Sequence, residues 1–145
     1  MKKLFDLKKH SSRWFQILIC GSRHWSDREA IEKALQQALE YLPKEDLTIM
    51  HGWAKGADQI AEDLSNEYHI GIRGYPADWE KHGKAAGPLR NQEMIDAGPD
   101  VVLAFTYNLE EAKGTKDTVT RARKANIPVF VFPDTDGWYE KWKKI

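Results

Sequence analysis

Glycines, hydroxyls, cations and planar rings recur in this sequence just behind its apolar runs. Gly21-Ser22-Arg23-His24-Trp25 follows the first run, and His51-Gly52-Trp53-Ala54-Lys55-Gly56-Ala57-Asp58 follows the second. Asp78, Trp79, His82 and Lys84 follow the third; Thr106 and Tyr107, then Gly114, Thr115 and Asp117, follow the fourth. Glycine lets a backbone approach a phosphate closely. Free N–H groups at a helix start favour an anion, Arg and Lys supply charge, and a planar ring stacks on a base. The combination suits a ligand that carries both a phosphate and a ring.

Each part also has a plainer reading. Gly21-Ser22 serves equally as a tight turn, and Arg23 as a solvated charge. Asp58 opens a helix, where a carboxylate also complements the helix dipole. A tryptophan between two glycines, as at Gly52-Trp53-Ala54-Lys55-Gly56, is unusual for a mere connector and favours function there. His24, His51 and His82 share no metal-ligand spacing, so no metal site is expected. Neither a Walker A loop nor a G-x-G-x-x-G fingerprint is present, and no cofactor is expected.

The elements that must position these residues alternate strictly. Trp14 to Cys20 is nearly continuously apolar, as in a strand covered on both faces. Ser26-Asp27-Arg28-Glu29 has the form of a capping box with Ser26 as its cap, and Ile31, Ala34, Leu35, Ala38, Leu39 and Leu42 recur at helical spacing behind it. Leu47 to Met50 is a second strand. Ala57, Ile60, Ala61, Leu64 and Tyr68 mark a second helix. Ile70 to Tyr75 is a weaker strand, and residues 76 to 86 form a long loop. A helix then begins at Gly87-Pro88 and stops at Gly98-Pro99. Val101 to Phe105 is a strong buried strand, a helix runs from about Lys116 to Ala125, and Val129 to Phe132 is the fifth strand. Such alternation predicts an α/β fold: a Rossmann-like three-layer sandwich of about five mainly parallel strands with helices on both faces. Ligands in such sheets bind outside the carboxyl ends of the strands, at the switch point in strand order.

The 145 residues fit one domain, read as 14–145 behind a basic N-terminal tail, 1–13. Trp138, Tyr139 and Trp142 form a cluster expected to pack back on that domain. Twenty-two Lys and Arg balance twenty-two Asp and Glu, which argues against a protein that grips nucleic acid mainly by neutralising phosphates. The lone cysteine, Cys20, cannot form an intrachain disulfide and reads as a small buried hydrophobe. No apolar stretch has the length of a signal peptide or membrane span, so the expected setting is cytoplasmic.

The ordered stretches Gly21 to Asp27, His51 to Asp58, Tyr75 to Trp79, Ala86 to Asn91 and Gly114 to Thr118 together resemble the YspA/YpsA-related branch of the SLOG superfamily, from about Phe15 to Phe132. These small Rossmannoid proteins are common in phages and bacteria. The resemblance implies binding of nucleotides or nucleotide-derived ligands, including ADP-ribose-like signals, and frequent homo-oligomers. On that reading Gly21, Ser22 and Arg23 hold a phosphate at the start of the first helix. Gly114 and Thr115 offer a second anion site, and Arg90 reaches in beside Asn91. Trp25, Trp53 or Trp79 stacks on the base, and Asp58 or Asp78 accepts ribose hydroxyls. The ligand is an ADP-ribose-like or cyclic nucleotide signal, sensed in a bacterium or sequestered by a phage protein.

The lonely-guy phosphoribohydrolases of the same superfamily carry an Arg-Lys pair and then P-G-G-x-G-T-x-x-E. Arg90-Asn91 resembles the pair and Gly114-Thr115 the G-T. The Pro-Gly-Gly is missing, and Thr118 stands where the catalytic Glu would be. Hydrolysis is therefore not expected. Asp58, Asp78 and Asp117 are the candidates if an N-glycosidic hydrolase is the right alternative, because an oxocarbenium-like transition state needs a nearby carboxylate. A DprA-like single-strand DNA binder is the third reading. The charge balance and the lack of a regular aromatic–basic stripe weigh against it.

Overall fold

The first strand is apolar on both faces because helices cover both. In the computed structural model, which describes residues 15–133 and Trp138, β1 (Phe15–Gly21) lies at the centre of a five-stranded sheet. Its odd residues Phe15, Ile17 and Ile19 join one buried cluster, and Leu18 and Cys20 join the other. The expected tail 1–13 and residues Trp14, Tyr139 and Trp142 lie outside the described residues. Trp138 does pack back: it is fully buried in the first cluster, its ring centroid 6.1 Å from that of Phe130.

The remaining strands are β2 (Leu47–His51), β3 (Gly71–Gly74), β4 (Val101–Phe105) and β5 (Val129–Phe132). All pairings are parallel and the order is β3-β2-β1-β4-β5. Helices α1 (Arg28–Leu39) and α2 (Ala57–Glu67) cover one face through Ile31, Leu35, Ala61 and Leu64. On the other face lie α4 (Ala86–Asp96) and α5 (Lys113–Lys124), through Met94, Ile95, Val119 and Ala122. This is the Rossmann-like three-layer α/β sandwich expected. Its switch point lies between β1 and β4, whose register sets Gly21 beside Phe105.

Three local expectations change. The cap of α1 is Asp27 and not Ser26, with the Asp27 side chain accepting from the Ala30 N–H at 3.2 Å; a carboxylate sits better than a hydroxyl at the positive end of a helix. The long loop 76–86 contains a short helix, α3 (Trp79–His82), because Asp78 caps it by accepting from the Lys81 N–H at 3.1 Å. Helix α5 begins at Lys113, three residues before the expected Lys116, so Gly114 and Thr115 form its first turn. No helix among the described residues is long and apolar enough to cross a membrane.

One buried group works against the fold. Ser65 of α2 is fully buried and its hydroxyl has no hydrogen-bond partner. An unsatisfied buried hydroxyl costs about 1–3 kcal/mol, and alanine is the better helix former. Ser65→Ala is therefore expected to stabilise the protein by about 1 kcal/mol, seen as a thermal midpoint roughly 3 °C higher by scanning calorimetry. A lower midpoint would mean that the hydroxyl is bonded after all.

Candidate ligand-binding site

The loops behind β1 and β2 dock on each other. The Ser22 N–H donates to the Phe105 carbonyl at 3.0 Å, and the Ser22 carbonyl accepts from Trp25 N at 3.1 Å and from Ala57 N at 3.4 Å. Gly21 and Gly56 make this approach possible. A Cβ on Gly21 would lie 2.7 Å from the Ala57 Cβ and closer still to the Phe105 carbonyl oxygen. A Cβ on Gly56, whose φ is +76°, would meet the Arg23 carbonyl carbon at 2.6 Å and the Ser22 oxygen. Gly21, Ser22 and Arg23 therefore face the start of α2, not that of α1 as the sequence reading has it. Asp27 already occupies the start of α1.

Asp58, in the first turn of α2, is buried, and its Oδ2 accepts from the N–H of Gly52 at 2.9 Å and of Ala54 at 3.2 Å. Burial pushes its carboxyl above the ordinary range, against the two amide hydrogen bonds and the nearby Arg90, which pull it down. Asp58 thus shapes the Gly52–Gly56 loop. Trp53 leaves that loop with φ +61°, its N–H donating to His51 Nδ1 at 3.0 Å. An Nδ1 that accepts carries no proton, which assigns the proton to Nε2. His51 Nε2 then donates to Glu62 at 3.1 Å from a fully buried ring. The Trp53 indole is exposed yet lies over Gly74, where a Cβ would come within 2.6 Å of Cε2.

Arg90 and Asn91 tie the two halves of the rim together. The half-buried Arg90 guanidinium donates through Nη1 to the carbonyls of Gly52 and, at 3.4 Å, Tyr75, and through Nε to Asn91 Oδ1 at 2.9 Å. Asn91 is buried and donates to Asp117 at 2.9 Å and to the Gly114 carbonyl at 3.5 Å. Arg90 is therefore a clamp rather than a free rim cation; its Nη2 keeps no hydrogen bond among the described residues. Burial draws its pKa below the ordinary value, with Asp58 opposing. At Asp117 burial works against ionisation, but hydrogen bonds from Arg121 and Asn91 outweigh it and hold the carboxyl below its usual range.

The start of α5 is open. Ala112 caps it without a side-chain hydrogen bond, and a Cβ on Gly114 would meet nothing within 4 Å. Among the described residues the amides of Lys113, Gly114 and Thr115 have no partner, whereas Lys116 N already bonds Ala112 O at 2.8 Å. Thr115 is 6% exposed, and its hydroxyl has no hydrogen bond among the described residues. Thr118 is buried and its hydroxyl donates back to the Gly114 carbonyl at 3.2 Å, inside its own helix.

One expectation about the rings needs correction. Trp25 is only 3% exposed, with Nε1 donating to the Asp27 carbonyl at 2.9 Å, so it has no free face for a base. Tyr107 lies on it instead, the centroids 4.6 Å apart and the planes 23° apart. In the sequence Tyr107 stands at a strand end with nothing there to mark it for a role. Trp79 remains exposed, its ring edge beside Gly87, and Asp78 is the α3 cap. Cys20 is buried, and burial together with the charge of Asp58 pushes its thiol well up, which makes it no nucleophile. No group of three or more His, Cys, Asp or Glu among the described residues is arranged for a metal ion.

Fold and rim together define a Rossmann-like domain with an open helix start at its switch point. The model of the YspA, cpYpsA-related SLOG family matches residues 15–82. Gene 61 protein of Mycobacterium phage D29 is 43% identical over 124 residues, covering 82% of this chain and 97% of that protein. The chain belongs to the YspA, cpYpsA-related SLOG family. The X-ray structure of DNA processing protein A (DprA) from Streptococcus pneumoniae superposes with a TM-score of 0.60 at 19% identity, over 96% of this chain and 58% of that one. The chain thus spans little more than half of the DprA chain, and the likeness is one of fold. Membership in the SLOG family points to nucleotide-related ligands.

Proposed function

We propose that this protein binds a phosphate-bearing nucleotide or nucleotide-derived ligand, of the ADP-ribose or cyclic nucleotide kind, at the switch-point rim and holds it without cleaving it. The role is that of a sensor, or of a protein that sequesters the signal. The observation that carries this reading is the start of α5. Three consecutive amides lie there with no partner among the described residues, beside Thr115, a residue only 6% exposed whose hydroxyl bonds none of those residues. Oriented N–H groups at the positive end of a twelve-residue helix form a ready cradle for an anion.

Binding is favoured over cleavage by what the carboxylates already do. Asp58 holds a loop, Asp78 caps a helix and Asp117 is paired with Asn91 and Arg121. Thr118 turns its hydroxyl into its own helix. None of the three carboxylates is left with the freedom that a general base directed at a ribose carbon requires.

A ligand specific for the native state adds about 2.7 kcal/mol at one hundred times its Kd, a midpoint rise of roughly 5–11 °C. Thermal-shift titrations with AMP, GMP, ADP-ribose and 3′,5′-cyclic AMP should show such a rise. Thr115→Val keeps the shape and removes the hydroxyl. It should weaken the bound compound about 10- to 150-fold by calorimetry, since a hydrogen bond to a charged group is worth about 1.5–3 kcal/mol. No rise with any compound would refute the binding reading; unchanged affinity in the valine variant would move the phosphate away from α5.

A further inference from the structure

We infer that Tyr107 is the platform on which the base of the ligand stacks. This rests on the nucleotide reading above and names the residue that recognises the ring. Tyr107 stands two residues behind β4, at the switch point, and is 73% exposed. An exposed tyrosine ordinarily samples several rotamers, and fixing it on binding costs conformational entropy. Here one face is already held. Trp25, from the loop behind β1, lies stacked beneath it and is itself locked by the Nε1 hydrogen bond to Asp27. Trp25 in turn packs tilted against Phe105 at 5.6 Å, and Phe105 stacks on Phe132 at 4.4 Å and 17°.

Four aromatic rings from β5, β4 and the loops behind β1 and β4 thus form a column that rises from the core and ends at Tyr107. Offset stacking is favourable at these separations, and a planar base on the outer face adds the next ring without reordering any beneath it. The column also bridges the two loops that flank the switch point, where a ligand of this fold class lies. The exposed tryptophans are placed differently. The Trp53 indole rests on Gly74 at the β3 edge, and Trp79 leans on Gly87 of α4, so neither joins the β1–β4 junction.

The test compares wild type with Tyr107→Phe, Tyr107→Ala and Tyr107→Leu by calorimetric titration with AMP, ADP-ribose and the base-free ribose 5-phosphate. Leucine keeps Trp25 covered but offers no ring face, and it serves for the comparison if the alanine variant does not fold. Loss of base stacking should weaken AMP and ADP-ribose about 5- to 150-fold in the alanine and leucine variants. Ribose 5-phosphate should bind all four proteins alike, and phenylalanine should match wild type within about twofold. Equal losses for AMP and ribose 5-phosphate would assign Tyr107 a purely structural role and overturn the inference. Undiminished AMP and ADP-ribose affinity in both the alanine and leucine variants would do the same. Failure of both nucleotides to bind wild type would overturn the inference as well, and the nucleotide reading itself falls only if GMP and 3′,5′-cyclic AMP also fail.

Discussion

Gly56→Ala is expected to cost about 3–5 kcal/mol and to lower the thermal midpoint by roughly 10–20 °C. Two effects add. The backbone at Gly56 has φ +76° and ψ −121°, a region that a residue with a Cβ enters only under strain of about 1–3 kcal/mol. A Cβ there would also run into the Ser22 and Arg23 carbonyls, which are backbone atoms and cannot swing aside as a side chain would. Relief requires the loop behind β1 to lift from α2, breaking the hydrogen bond from Ala57 N to Ser22 O. Gly114→Ala is the matched control: that glycine lies within a helix with open space around its Cβ position. There alanine should be neutral or stabilising by about 0.5–1 kcal/mol. Urea unfolding of both variants would decide it, and a Gly56→Ala protein as stable as wild type would mean that the two loops are not docked as described.

The second large effect is expected at Asp58. Asp58→Ala leaves the Gly52 and Ala54 amides without their acceptor, and Gly52 is buried. It also removes a negative charge that favours the charged form of the half-buried Arg90. A buried donor left unsatisfied costs about 1–3 kcal/mol, so a total of about 2–4 kcal/mol is expected. Asp58→Asn retains an accepting oxygen in the same place and should lose less than half as much. That ranking separates a loop-shaping carboxylate from a catalytic one. A reacting carboxylate would make the asparagine variant stable and inactive, and the alanine variant equally stable. Unfolding curves for the three proteins, measured beside release of free base from AMP, distinguish the two. Base released by wild type over many turnovers and lost in a fully stable Asp58→Asn would restore the hydrolase alternative.

Much of the fold was legible because its signals are local. The runs Trp14 to Cys20, Val101 to Phe105 and Val129 to Phe132 read directly as strands, since a strand covered on both faces is apolar at nearly every position. The same physics hid the start of α5. Lys113-Gly114-Thr115-Lys116 has no apolar spacing to announce a helix, and the turn forms because its far end, Val119 and Ala122, is anchored against the sheet. Helix α3 was missed for a related reason: four residues carry too little periodicity, and only the Asp78 cap foreshadows them.

The candidate site divides along the same line. From residue types and order alone came the alternation, the rim of glycines, cations and rings, and the SLOG resemblance, because strand ends in a parallel sheet all face one way. Tertiary structure alone decided which of those groups are free. Trp25 became a buried support and Tyr107 the exposed ring through a contact between loops far apart in sequence. Gly21 and Gly56 proved to be needed where backbones meet, and Arg90 and Asn91 to be ties between loops. Thr115 kept an unpartnered hydroxyl while Thr118 bonded its own helix. A residue's type states what it can bind, but whether it is already bound depends on neighbours that only the folded chain brings within hydrogen-bond reach.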